Sequence, residues 1–172
     1  SLSCLQGCDH QNNFSRKILS AIKAAKIDAG RKTTSAIYWA VGSEDFNEIN
    51  KVSVDIDRLL TCDVTFSLPK TVLPKALIRF DPSDHEIERN SEQAKVETFA
   101  LIGGKNEKHF DLIPAIREGM IEISPDLEVK CINKSVYLEI SGSDPWMVLE
   151  LKTLGLPSDF DLCEIHVTAS WE

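Results

Sequence analysis

Cys163-Glu164-Ile165-His166-Val167-Thr168-Ala169-Ser170-Trp171 alternates apolar and polar residues from end to end. Cys163, Ile165, Val167, Ala169 and Trp171 fall on one side of an extended chain, and Glu164, His166, Thr168 and Ser170 on the other. A period of two points successive side chains to opposite faces, so the run predicts a strand with one face in a core and one in water. Half-buried strands of this kind belong to antiparallel sheets, because parallel sheets are covered on both faces and read as continuous apolar runs.

The same period recurs upstream, in Val52–Asp57, Cys62–Leu68 and Val136–Ile140. Further strands are predicted over Ser35–Val41, Lys75–Phe80, Val96–Ile102, Leu127–Ile132 and Trp146–Leu151. Asn133-Lys134, between two of these runs, predicts a short hairpin turn, and Gly103-Gly104 predicts the end of another strand. Pro114 to Met120 predicts one or two helical turns with proline at the start. Trp39, Trp146 and Trp171 all sit in strand-like runs and are expected to pack in the core. About nine short strands with frequent turns favour a sandwich.

The N-terminal residues have a different period. Asn12 and Asn13 are good caps before Phe14, and Gly30 is a plausible stop. Between them Phe14, Ile18, Ala21, Ile22 and Ala25 share one helical face, with Arg16, Lys23 and Lys26 opposite. The expected fold class is therefore α+β but mostly β: an antiparallel β-sandwich or jelly-roll-like body preceded by an N-terminal amphipathic helix. No repeat, low-complexity tract or linker interrupts the chain, and we divide it into a basic arm, residues 1–32, and a β-rich body, residues 33–172.

Charge supports that division. Residues 1–32 carry six Lys/Arg against two acidic residues, and residues 33–172 carry thirteen against twenty-five. The overall −8 hides a basic arm on an acidic body. Clustered Lys/Arg are what neutralise phosphates, so the body is a poor nucleic-acid surface and the arm is the expected point of contact with negative partners. The candidate contact residues are Arg16, Lys17, Lys23, Lys26, Arg31 and Lys32, facing a membrane, a nucleic acid or a neighbouring subunit.

Cysteine usage points to an intracellular protein, cytoplasmic or nuclear, and neither secreted nor membrane-spanning. The five cysteines are odd in number, and three lie within apolar runs, as expected of reduced thiols. The sequence opens on no signal-like segment, and no apolar run reaches about 18 residues. Cys4 and Cys8 beside the basic helix are candidate acylation sites, and a basic helix would supply the second signal that stable membrane anchoring needs. Cys4, Cys8 and His10 have an unusual spacing for zinc and no second ligand pair, so no metal is assigned to them.

Catalytic signatures are missing from the linear sequence. Gly103-Gly104-Lys105 lacks phosphate-loop spacing, and Ser20-Ala21-Ile22-Lys23 lacks the companions of a Ser-x-x-Lys nucleophile. Asp81, Asp84, Glu86, Glu88 and Glu92 follow no calcium-loop spacing and read as a solvated acidic loop. His85 lies within that stretch and His166 on the polar face of the last strand, neither with a visible nucleophile. We therefore expect no catalytic residues, no cofactor, no metal and no small-molecule substrate. The expected function is a non-enzymatic structural protein that self-associates as a homo-oligomer, of the viral matrix or coat type. The alternative is an intracellular β-sandwich recognition module for a partner protein or lipid headgroup. An enzyme site assembled from distant residues is the third class.

Overall fold

The computed structural model describes residues 32–42, 44–58, 60–72, 74–83, 92–105 and 107–171. The helix and arm expected over 1–32 lie outside the described residues except for Lys32, which opens the first strand and is exposed. The described body is a β-sandwich of two antiparallel sheets. Strands β1 (Lys32–Ala40), β2 (Lys51–Asp57), β4 (Leu77–Asp81), β7 (Glu122–Ile123) and β10 (Met147–Glu150) form the first, in the order β2-β1-β4-β10-β7. The second contains β3 (Thr61–Val72), β5 (Glu92–Gly103), β8 (Leu127–Ile132), β9 (Ser135–Ile140) and β11 (Leu162–Trp171), in the order β3-β11-β5-β9-β8. β6 (Lys108–Asp111) extends it by pairing with the C-terminal half of β5, while β9 pairs with the N-terminal half.

Inward-facing residues of both sheets meet in one core. Ile37 and Trp39 of β1, Ile78 and Phe80 of β4, and Met147 and Leu149 of β10 face Phe66, Phe99, Leu101, Leu138, Ile165 and Val167 of the second sheet. Phe80 stands edge-on to both Phe66 and Phe99, with ring centroids 6.3 Å and 5.2 Å away, and so joins the sheets at their centre. The short helix α1 (Ile113–Arg117), with Pro114 in its first turn, closes one side with Ile113, Ala115 and Ile116.

Two bulges modify the predicted alternation. In β11 the register slips between Leu162 and Glu164, so Cys163 is the extra residue and Leu162 takes the core position expected for it. Cys163 is only half-buried and donates its thiol to the Ile102 carbonyl at 3.2 Å. In β5 a second slip skips Glu97, so the core face changes from Ala94 and Val96 to Phe99 and Leu101. One inserted residue reverses every side chain that follows it.

The turns follow local chemistry. Asn133 adopts φ +55° in the two-residue hairpin that leaves Ile132 opposite Ser135, a conformation Asn accepts more readily than most residues. Gly104, at φ +76°, turns the chain from β5 toward β6. Its neighbour Gly103 is needed for closeness, since a Cβ there would overlap the carbonyl oxygen of Asp161. The obstacle is backbone and cannot swing aside. Gly103→Ala is expected to destabilise the fold by about 1–3 kcal/mol, lowering the melting temperature by several degrees in a thermal scan. An unchanged melting temperature would show that the Asp161 strand entrance can shift.

At one end of the sandwich the Pro82 carbonyl accepts from the Ser35 hydroxyl at 2.6 Å and from the Trp171 indole at 3.2 Å. Buried polar groups there are thus partnered, and β11 of one sheet is tied to β1 and the end of β4 in the other. Nearby, the hydroxyls of Thr33 and Ser83 pair at 2.8 Å.

Candidate functional site

On the outer face of the first sheet, charged and aromatic side chains from several strands touch one another. Strand register places Tyr38 beside Arg79, Arg79 beside Val148, and Val148 beside Glu122, in a row running across four strands. Lys51 of β2 extends the row, its ammonium 5.0 Å from the centre of the Tyr38 ring. Each of these residues faces outward because its neighbours in sequence face the core: Ile37 and Trp39 around Tyr38, Ile78 and Phe80 around Arg79.

Arg79 is the centre of the group. Its Nε and Nη2 donate to the two carboxylate oxygens of Asp81 at 2.6 Å and 2.9 Å, and Nη2 also donates to Asp144 at 2.7 Å. The guanidinium lies 5.4 Å from the Tyr38 ring and 5.6 Å from the Trp146 ring, within cation–π range of both. Burial pulls the pKa of Arg79 down, and Asp81 with Asp144 more than offsets it, leaving the pKa above the ordinary arginine range. Burial also raises the Tyr38 phenol, whose hydroxyl donates to Glu48 at 3.3 Å. Arginine's forked donors and flat face suit this double role of bidentate pairing and stacking.

Beside this cluster an open groove of about 490 Å³ runs along the same face. Leu77, Met120, Ile121 and Val148 form its floor, with Glu122 and Glu150 among its polar lining. An apolar floor with acidic borders can seat an extended or helical segment that carries apolar and basic residues. A second groove, about 570 Å³, lies beside α1 and mixes Glu97, Asp111 and Glu118 with Arg117 and Lys134.

Few of the residues singled out from sequence come together here. Arg16, Lys17, Lys23, Lys26 and Arg31, the acylation candidates Cys4 and Cys8, and also His10, Asp84, His85, Glu86 and Glu88 lie outside the described residues. Asp81 and Glu92 are not solvated loop residues. Asp81 ends β4 paired with Arg79, and Glu92 begins β5 with its carboxylate 3.0 Å from Arg58 Nε. Both are buried. His166 does lie on the outer face of the second sheet, and Trp39 and Trp171 are in the core. Trp146 instead covers Arg79 from outside.

No linear pattern singles out the cluster of Tyr38, Arg79, Asp81, Asp144 and Trp146. One signal was available: Arg79 and Asp81 are two apart in a strand, so their side chains share a face. The other members come from β1 and the loop before β10, which only strand pairing brings near. Burial raises the Cys163 thiol above its usual range, with Glu164 and Glu107 adding to the shift. Among the described residues no group of three or more His, Cys, Asp or Glu is placed to hold a metal ion. No described helix is long and apolar enough to cross a membrane.

Comparison with known proteins gives no match to a family model, a curated protein or a solved structure.

Proposed function

We propose that this chain is a non-enzymatic, self-associating structural subunit of the viral coat or matrix type. Its body is a jelly roll, and its basic N-terminal stretch contacts a membrane, a nucleic acid or a neighbouring subunit. The observation that carries the reading is the path of the chain between the two sheets. β2 to β3, β3 to β4, β4 to β5, β9 to β10 and β10 to β11 each cross from one sheet to the other. These crossings interleave four strands of each sheet, β2-β1-β4-β10 and β3-β11-β5-β9, while β1 to β2 and β8 to β9 stay within one sheet. Two interleaved antiparallel sheets wound in this way support a jelly-roll assignment, an architecture used by coat subunits, lectins and cupins. The opposite charges of residues 1–32 and 33–172 support assembly, since a basic stretch of one copy can meet an acidic surface of the next.

Light scattering during size-exclusion chromatography tests the proposal. The expected mass exceeds the 19.2 kDa of one chain and depends on ionic strength, because contacts between exposed charges are screened beyond about 3 Å in 1 M salt. A monomer at high concentration, unchanged between low and high salt, would overturn it.

A recognition module is the second reading, favoured by the acid-bordered groove over Leu77, Met120, Ile121 and Val148. It requires a monomer that captures a partner protein or a lipid headgroup. Flotation with anionic liposomes, using the whole chain and a chain lacking residues 1–31, separates the lipid form from the protein form.

A further inference from the structure

We propose that the outer edge of β2 is a two-fold interface at which a second copy of this chain pairs antiparallel, β2 to β2, joining two first sheets into one continuous sheet. The inference deepens the self-association reading and rests on it. β2 ends the order of its sheet, and no described strand lies beyond it. Unpaired backbone donors and acceptors along an edge are a ready template for another strand.

Of the other edges, β7 and β6 are two and four residues long, and β3 carries Pro69, which removes a ladder donor. β8 has six residues and no proline, but it carries one exposed large apolar residue, Ile132, against the two that mark β2. β2 has seven residues, no proline, and Val52, Val54 and Ile56 on its inner side. Its ends are marked by the two most exposed large apolar residues of the described body, Ile49 at 89 % and Leu60 at 57 %. Antiparallel pairing brings Ile49 of one copy to the end where the partner's Leu60 lies, twice per dimer.

The sequence of β2 is self-complementary about Val54. The contact of Thr34 with Asp55 and of Lys51 with Tyr38 shows β2 running antiparallel to β1, with Lys51, Ser53, Asp55 and Asp57 outward. A two-fold axis through Val54 sets Val52 against the partner's Ile56 on the inner side. On the outer side it sets Lys51 against the partner's Asp57 and Ser53 against the partner's Asp55. A parallel in-register pairing would instead oppose Lys51 to lysine and both aspartates to aspartate. Charge therefore selects the antiparallel two-fold arrangement. Lys51 lies 3.2 Å from Glu48, and pairing brings the partner's Asp57 to the facing position across the strand.

The test uses two full-length variants, Lys51→Asp and Asp57→Lys, studied alone and mixed, with dimerisation followed by sedimentation and folding by circular dichroism. Each variant alone opposes like charges at both symmetry-related positions, and its dimer dissociation constant is expected to rise about tenfold or more. An equimolar mixture restores opposite charges at all four positions and is expected to recover dimers close to the wild-type affinity. Ile49→Asp with Leu60→Asp, at exposed positions that a folded monomer tolerates, is expected to weaken dimers whether or not the strand variants fold. If wild type self-associates and all of these variants match it, the β2 interface is wrong while the self-association reading stands. If wild type stays monomeric at every concentration and salt, both fall.

Discussion

Phe99→Ala is expected to lower the stability of the body by about 3–5 kcal/mol, measurable as a shift in the midpoint of chemical denaturation at unchanged slope. Phe99 is fully buried and lies nearest to Phe80, the ring that bridges the sheets. Truncation removes its transfer free energy and leaves a cavity between two rigid β layers that cannot collapse without pulling strands apart. Because native domains are stable by only about 5–15 kcal/mol, the variant should be close to unfolding near 37 °C. Phe99→Leu fills most of the volume and is expected to cost less than half as much. Equal losses for both variants would mean that the edge-to-face contact, and not the filled space, holds the sheets together.

Arg79→Ala is expected to cost about 3 kcal/mol, within the range for breaking a buried ion pair. Asp81 keeps about 5 % of its surface exposed, so loss of the guanidinium leaves a carboxylate in a poorly solvated place. The side chain of Arg79 is about 21 % exposed, and solvent screening reduces the figure from that of a fully buried pair. Tyr38 and Trp146 also lose the cation that both rings face. The double variant Arg79→Met with Asp81→Asn is expected to recover much of the loss, because no uncompensated charge remains. Denaturant titrations of wild type, Arg79→Met, Asp81→Asn and the double variant give the coupling. A double variant as unstable as the sum of the singles would show that Arg79 and Asp81 act independently.

Most of the strands were legible because a half-buried strand carries its own period. The run after Glu164 and the stretch Val52–Asp57 alternate in the structure as they do in the sequence. β6 and β7 leave no mark in the sequence, since strands of four and two residues are too short to show any period. Cys163 reads as a core residue for the opposite reason: the letters alternate through it, but the backbone bulges there and Leu162 takes its place. Composition alone groups Asp81 and Glu92 with their acidic neighbours. Their burial depends on Arg79 and Arg58, which a one-dimensional charge count does not connect to them.

The sequence by itself determined the class of the body, because alternation, turn residues and helix caps act over a few neighbouring positions. It also determined the charge division at residue 32, which needs only counting. Which strands lie side by side was decided by the tertiary structure, since β11 joins β3 to β5 across about a hundred residues of chain in one direction and about sixty in the other. The Arg79 cluster exists only after that pairing, drawing on residues 38, 79, 81, 144 and 146. So does the place of β2 at the end of its sheet among the described strands, because a strand is an edge only by virtue of where the others have gone.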